Sequence, residues 1–186
     1  MHITNFKNKK ILLISDTYGK HRILNIPKDI NIIVHCGDIC TDGNLQEISD
    51  FFEWYSKLEI PYKIFVNGNH DLIFELEPEN AKKIIPKNVI WLNDESICID
   101  GITLKGLSPF FYFQNFNAEE NIDVLISHYP PLGILDDGIG SVELRDFVIK
   151  SKPKYCVFGH NHKVQKFVEI DDITFINASL YEDLFS

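Results

Sequence analysis

The chain has 186 residues and a 45% share of hydrophobic side chains, which is enough for a sizeable core and excludes a disordered chain. Its 18 basic and 27 acidic residues give a formal charge of −9, which disfavours a nucleic-acid backbone as the main partner. A small anionic ligand is compatible with this charge where a local cation offsets the repulsion. We therefore expect one domain spanning residues 1–186, with a small molecule and not a nucleic acid as its partner.

The four cysteines, at positions 36, 40, 98 and 156, indicate a reducing compartment. None forms a CxxC pair and three lie in apolar runs, so we interpret them as buried thiols. Residues 1–10 are polar and basic and lack the apolar core of a signal peptide. No uninterrupted stretch of about 18 apolar residues predicts a membrane span. These features predict a cytoplasmic protein without a membrane partner, and they leave the oligomeric state open.

Apolar runs and helical stripes alternate along the first half of the chain. Strands are predicted over residues 10–14, 31–34, 62–66 and 89–92, and helices over residues 44–58 and 78–85. In the first helix, apolar residues recur at Leu45, Ile48, Phe52 and Tyr55, a spacing typical of a helix that packs on a sheet. This alternation favours a layered α/β fold.

The second half of the chain adds two predicted hairpins. Strands over residues 96–99 and 102–104 flank Asp100-Gly101, a pair that tolerates the positive φ of a type I′ turn. Further predictions are strands at 122–126 and 155–158, a helix at 141–150, and a hairpin of residues 166–170 and 173–177. The aromatic residues within 110–116 are either a hydrophobic lid, which we favour, or a wall that stacks on a substrate. The hairpins predict sheets that are partly antiparallel.

Five of the predicted strands end in short polar loops that carry carboxylate, amide or imidazole groups. Open α/β sheets place their chemistry outside the carboxyl ends of such strands. The residues concerned are Asp16, Asp38, Asn69, His70, His128, His160 and His162. Mixed oxygen and nitrogen donors suit Mn, Fe, Zn, Ni or Co better than Ca. The number of donors exceeds what one tetrahedral ion needs, which predicts two divalent ions that share a carboxylate. His2 and His35 are interpreted as structural or surface residues.

These loops together resemble the calcineurin-like metallophosphoesterase superfamily. The matching motifs are Asp16-Thr17-Tyr18, Gly37-Asp38, Gly68-Asn69-His70-Asp71, Ser127-His128 and Gly159-His160-Asn161-His162. The segment of residues 130–136 (PPLGILD) is similar to the small metallophosphoesterase-domain branch, which acts on phosphodiesters. The resemblance implies an α-β-β-α sandwich of two mixed sheets flanked by helices, with the active site at the strand carboxyl ends.

The resemblance also implies a role for each site residue. The first metal site would contain Asp16 and His162, the second would contain Asn69, His128 and His160, and Asp38 would bridge the two ions. Two ions roughly 3.5–4 Å apart lower the pKa of a bridging water, so that a hydroxide can attack the phosphorus near neutral pH. His70 would lie beside the scissile phosphate as a catalytic residue. Asp71 would either orient His70 through its other ring nitrogen or cap the next helix, and both roles stay open.

Tyr18 departs from the superfamily pattern, which has histidine at this position. A neutral phenol is a poor metal ligand because its ordinary pKa lies near 10. Either Tyr18 binds as a phenolate, or His21 takes over as a ligand, or the first metal site is weakened, which is the outcome we favour. We therefore predict a metal-dependent phosphodiesterase acting on small or cyclic nucleotide-type esters, with a monoesterase as the less favoured enzyme. The alternative is a metal-poor scaffold that binds other proteins.

Overall fold

The computed structural model describes residues 1–109, 121–163 and 166–186, which form two β-sheets and the helices that cover them. The first sheet contains β1 (His2–Phe6), β2 (Lys9–Ile14), β3 (Ile32–His35), β4 (Tyr62–Phe65) and β5 (Ile90–Trp91), in that order. The second contains β6 (Ser96–Ile99), β7 (Ile102–Gly106), β8 (Val124–Ile126), β9 (Tyr155–Phe158), β10 (Phe167–Ile170) and β11 (Ile173–Asn177). Its order is β10-β11-β9-β8-β7-β6. The helices are α1 (Leu45–Lys57), α2 (Ile73–Leu76), α3 (Pro78–Ile84), α4 (Val142–Ser151) and α5 (Tyr181–Phe185).

Both sheets are mixed, as predicted. Strands β2 to β5 run parallel, and β1 pairs antiparallel with β2 at the edge of the first sheet. In the second sheet β7, β8, β9 and β11 run parallel, while β6 and β10 are antiparallel edge strands. Because parallel strands end at the same edge of a sheet, the loops that follow them are brought together there.

The two sheets pack face to face, and each outer face is covered by a helix. In β2, Ile11 and Leu13 face the second sheet, whereas Leu12 and Ile14 face α1. The outer face of the second sheet packs against α4 through Leu144, Phe147 and Val148. Strands that are buried on both faces appear in the sequence as continuous apolar runs, which is why they were predicted correctly. The α-β-β-α sandwich is thereby confirmed.

Helix α1 is fixed at its start and along its buried face. The Asn44 side chain caps the helix by accepting hydrogen bonds from the amides of Gln46 and Glu47. The Tyr55 hydroxyl donates to the carbonyl oxygens of Ile33 and Ile64, at 3.1 and 2.7 Å, and so ties the helix to two strands.

Several predictions need correction or lie outside the described residues. Cys98 is exposed and not buried, because it lies on the edge strand β6; all four thiols are free. Strand β1 and helices α2 and α5 were not predicted. The predicted type I′ turn is confirmed by the positive φ angles of Asp100 (49°) and Gly101 (79°). The aromatic segment of residues 110–116 lies outside the described residues. The longest described helix, α1, has 13 residues, and none of the described helices meets the length and hydropathy of a membrane span.

Candidate functional site

The five polar loops meet at the carboxyl ends of the parallel strands of both sheets. Backbone hydrogen bonds join neighbouring loops: the Asp16 amide donates to the carbonyl oxygen of Gly37 at 3.0 Å, and the Gly159 amide donates to that of His128 at 3.0 Å. The His160 amide donates to the Asp16 carboxylate, at 3.1 and 3.2 Å from its two oxygens. The structure thus brings the loops of both sheets into direct contact at one edge.

Two glycines permit this close approach of the loops. A Cβ atom at Gly68 would collide with the carboxylate and amide of Asp38. A Cβ atom at Gly159 would collide with the side chains of Ser15 and Asp16. Glycine is therefore required at both positions because the opposing loop occupies the space of a side chain.

The candidate second metal site lies around His128, whose ring is fully buried. Its Nδ1 lies 2.7 Å from the carbonyl oxygen of Cys36, which can only accept, so Nδ1 carries a proton. Its Nε2 faces Asp38 Oδ2 at 3.3 Å and Asn69 Oδ1 at 3.0 Å. Asp38, His128 and His160 offer ligand atoms that all lie within 4.8 Å of one another. These donors fit a divalent ion, and a carbonyl that fixes the far nitrogen of the imidazole is typical of metal-binding histidines.

The electrostatics of this site favour a cation. Burial works against protonation of His128, but the Asp38 carboxylate outweighs it and raises the pKa of His128 to about 9. Burial alone would raise the pKa of Asp38, yet the charge of His128 and hydrogen bonds from His128 and Tyr18 hold it well below its ordinary value. Burial, followed by the charge of His128, lowers the pKa of His160 to about 4. A bound ion would take the place of the proton on His128.

The first metal site has a different character because of Tyr18. Asp16 Oδ1 lies 3.6 Å from Nε2 of His162, a pair that fits one ion. The Tyr18 hydroxyl donates to Asp38 Oδ2 at 2.6 Å and lies 3.2 Å from Nε2 of His162. Burial, followed by the charges of Asp38 and Asp16, raises the pKa of Tyr18, so the phenol is neutral here. A neutral phenol does not fit the role of the histidine that the family pattern places at this position.

His21 is placed away from both metal sites. Its Nε2 lies 3.0 Å from Asp50 Oδ2 on α1. Its ring packs against Phe51 and Trp54, with ring centroids 5.3 and 5.0 Å apart. The aromatic face of α1 therefore holds this side chain, and the structure does not bring it to the first metal site.

His70 lies at the mouth of the site and is oriented by a residue that sequence reasoning missed. Its amide donates to Asp38 Oδ1 at 3.0 Å, and its Nδ1 lies 2.8 Å from Asp42 Oδ1. The ring is 34% exposed, which leaves it accessible to a ligand. Asp71 does not contact this ring: its carboxylate is buried and accepts from the amides of Asp38 and Gly68, each at 2.8 Å. The sequence feature that could have identified Asp42 is its place as an acidic residue in a turn, four positions after Asp38.

His35 has a structural role, which is one of the two interpretations that the sequence left open. The ring is fully buried; its Nδ1 accepts from the Gly37 amide at 3.2 Å, and its Nε2 lies 3.0 Å from Thr17 Oγ1. Burial, followed by the charges of His21 and His128, lowers its pKa to about 3, so the ring is neutral. It links the loop that carries Asp16 to the loop that carries Asp38. The sequence feature that marks His35 is its position at the end of an apolar run, directly before Cys-Gly-Asp.

Comparison with known proteins places this site in a family. The family model described as calcineurin-like phosphoesterase matches residues 9–164. The chain is 29% identical to metallophosphoesterase domain-containing protein 1 of Homo sapiens, over 92% of this chain and 66% of that protein. It is 32% identical to a UPF0046 protein of Caenorhabditis elegans, over 94% of this chain and 76% of that protein. A probable cyclic nucleotide phosphodiesterase of Xenorhabdus bovienii is 27% identical, over 87% of this chain and 75% of that protein.

Solved structures support the same placement at the level of the fold. TT1561 of Thermus thermophilus superposes with a TM-score of 0.69 at 15% identity, over 92% of this chain and 90% of that chain. The chain spans just under two thirds of the length of its human relative, at 66%. The family model, the relatives and the fold agree, and the chain therefore belongs to the calcineurin-like phosphoesterase family.

Proposed function

We propose that this protein is a metal-dependent phosphodiesterase that cleaves small or cyclic nucleotide-type phosphodiesters. The observation that carries the proposal is the convergence of Asp38, His128 and His160 on one point, with His70 accessible at the same edge. The relative named a probable cyclic nucleotide phosphodiesterase supports the diester class. The substrate is a small molecule, and the activity belongs to one domain spanning residues 1–186.

The metal ion would be held by Asp38, Asn69, His128 and His160, whose mixed donors suit Mn, Fe, Ni, Zn or Co. When bound, a divalent ion supplies a water of lowered pKa and neutralises charge on the phosphoryl oxygens. The chain's own contribution is to hold these donors rigidly. Asp71 acts as a positioning residue, since its carboxylate fixes the amide of Asp38.

His70 is the proposed general acid. With Nδ1 donating to Asp42, Nε2 is free to deliver a proton to the leaving alkoxide oxygen as the phosphorus–oxygen bond breaks. A positioned acid of this kind contributes roughly 10²–10⁴-fold to the rate. Asp42 holds the orientation of the ring, although its own exposure weakens the effect.

The charge of the ligand favours a diester over a monoester. The chain's two arginines lie elsewhere: Arg22 pairs with Asp50 and Glu53, and Arg145 pairs with Asp146. A phosphomonoester carries a charge of about −1.5 to −2 near neutral pH, whereas a diester carries one negative charge. With no guanidinium to offset the second charge, the site suits the singly charged ester.

The free thiols support a cytoplasmic location.

The second candidate is a scaffold without turnover. It is favoured by the hydrogen bond from Tyr18 to Asp38, which occupies part of the first metal site. The accessible His70 and the complete donor set of the second metal site favour the enzyme.

Hydrolysis of bis-p-nitrophenyl phosphate and of p-nitrophenyl phosphate, with Mn²⁺ or Ni²⁺ titrated in, tests the proposal. We expect metal-dependent cleavage with a clear preference for the diester, and loss of that activity in Asp38→Ala. A protein that binds the metal yet cleaves neither ester would refute the enzyme and favour the scaffold.

A further inference from the structure

The hydroxyl of Tyr18 lies among the residues that would hold the first metal ion. It is 2.6 Å from Asp38 Oδ2 and 3.2 Å from Nε2 of His162. The hydroxyl thus contacts both the carboxylate that would bridge two ions and one of the two other ligands of the first metal site. The position that family members fill with a histidine is filled here by an oxygen in hydrogen bonds.

The spacing of these atoms is that of a hydrogen bond and not of two ligands on one ion. Two atoms that each bind an ion at about 2.1 Å lie roughly 3.0–3.4 Å apart in tetrahedral or octahedral geometry. The 3.3 Å between Asp38 and His128 and the 3.6 Å between Asp16 and His162 are close to this range. The 2.6 Å between the Tyr18 hydroxyl and Asp38 Oδ2 is too short for two ligands of one ion.

The ring of Tyr18 is in contact with four aromatic neighbours. Its ring centroid lies 5.3–6.1 Å from those of His70, His162, Tyr181 and Phe185, and each contact is edge to face. Such pairs contribute roughly 0.5–1.5 kcal/mol each beyond the area they bury. Moving the hydroxyl away from Asp38 would therefore break several contacts together.

Helix α5 secures this arrangement. The ring of His162 stacks on Tyr181 at 3.8 Å, and Tyr181 stacks on Phe185 at 4.7 Å. Lys20 lies 3.5 Å above the Phe185 ring and donates a hydrogen bond to the carbonyl oxygen of Leu184 at 2.8 Å. The stack fixes the plane of His162, so neither this ring nor Tyr18 is free to open the first metal site.

We propose that the centre binds one divalent ion, at the second metal site, and that the Tyr18 hydroxyl occupies the place of the first ion. The inference rests on the proposed function and specifies its metal centre. Tyr18 donates to Asp38 Oδ2 and the His70 amide donates to Asp38 Oδ1, so with one ion bound both oxygens of this carboxylate are engaged and it does not bridge a second ion. An O–H donor then stands where the family pattern places a second cation.

Two histidines that lie two positions apart provide a matched test. Metal content is counted by mass spectrometry and Mn²⁺ affinity is measured by calorimetry in His160→Ala and His162→Ala, with circular dichroism to verify folding. We expect one ion per wild-type chain, an affinity at least about 100-fold weaker in His160→Ala, and little change in His162→Ala. Loss of the ion in His162→Ala with retention in His160→Ala would place it at the first metal site and overturn the proposal.

Substitution of Tyr18 tests whether its hydroxyl is what excludes the first ion. Tyr18→His should bind two Mn²⁺ ions with an exchange-coupled paramagnetic resonance spectrum, whereas Tyr18→Phe should keep one ion with an uncoupled spectrum. Two ions in the wild-type protein, or a visible phenolate-to-iron absorption band after loading with Fe³⁺, would refute the proposal. The count is independent of turnover: one ion without diester cleavage would refute only the proposed function, and two ions with cleavage would refute only this inference.

Discussion

The buried ring of His35 predicts a specific loss of stability in acid. Its pKa is about 3 in the folded protein, against an ordinary value of 6.5, because burial disfavours the charged ring. Below pH 6.5, His35 is therefore protonated in the unfolded chain but stays neutral in the folded protein. This difference does not lower the free energy of unfolding above pH 6.5. As the pH falls below 6.5, it lowers the free energy of unfolding by about 1.4 kcal/mol per pH unit. Between pH 7.5 and pH 5 the loss from this one group is about 2 kcal/mol.

The assay compares urea unfolding of the metal-free wild type and His35→Gln at these two pH values. Glutamine keeps a hydrogen-bonding side chain of similar reach but does not titrate. The wild type should lose about 2 kcal/mol more of its free energy of unfolding than the variant on acidification. The imidazole resonances of His35 should also remain those of a neutral ring at pH 5. Equal losses in both proteins, or a titration of this ring near its ordinary value, would refute the reasoning.

Four further substitutions test the site. Asp38→Ala should abolish metal binding and turnover, and a variant that retains wild-type turnover would contradict the mechanism. His70→Ala should lower kcat by roughly 10²–10⁴-fold with unchanged metal content, since the His70 side chain supplies a proton and is not a metal ligand. Asp42→Asn should lower kcat by a smaller factor of about 10. Gly68→Ala should destabilise the protein by about 1–3 kcal/mol in urea unfolding and weaken metal binding, because the new methyl group collides with Asp38. Unchanged stability there would show that the loops can separate.

The sheets and the convergence of the polar loops could be predicted because both depend on local patterns. Buried parallel strands read as apolar runs, and the polar residue that follows each run falls at the sheet edge. His35 and His128 illustrate where this reasoning stops. His35 ends an apolar run and His128 comes two residues after one. The alternation along β3 points His35 towards Phe51 on α1, whereas His128 lies beyond its strand and faces Asp38.

Contacts between distant segments could not be predicted. Asp71 is adjacent to His70 in sequence, yet the turn directs its carboxylate to backbone amides, and Asp42 takes the contact with the ring. Helix α5 has only five residues and no periodic pattern, and its position depends on Lys20, more than 160 residues earlier. Its packing on Tyr18 is therefore a property of the folded protein alone.

The second metal site would take its ligands from both sheets: Asp38 and Asn69 follow strands of the first, whereas His128 and His160 follow strands of the second. Neither sheet alone holds the full set of ligands. A bound ion is therefore a cross-link between the two halves of the sandwich, and separation of the sheets at this edge would release it. The rate at which the ion exchanges with solution should report how often the two sheets part.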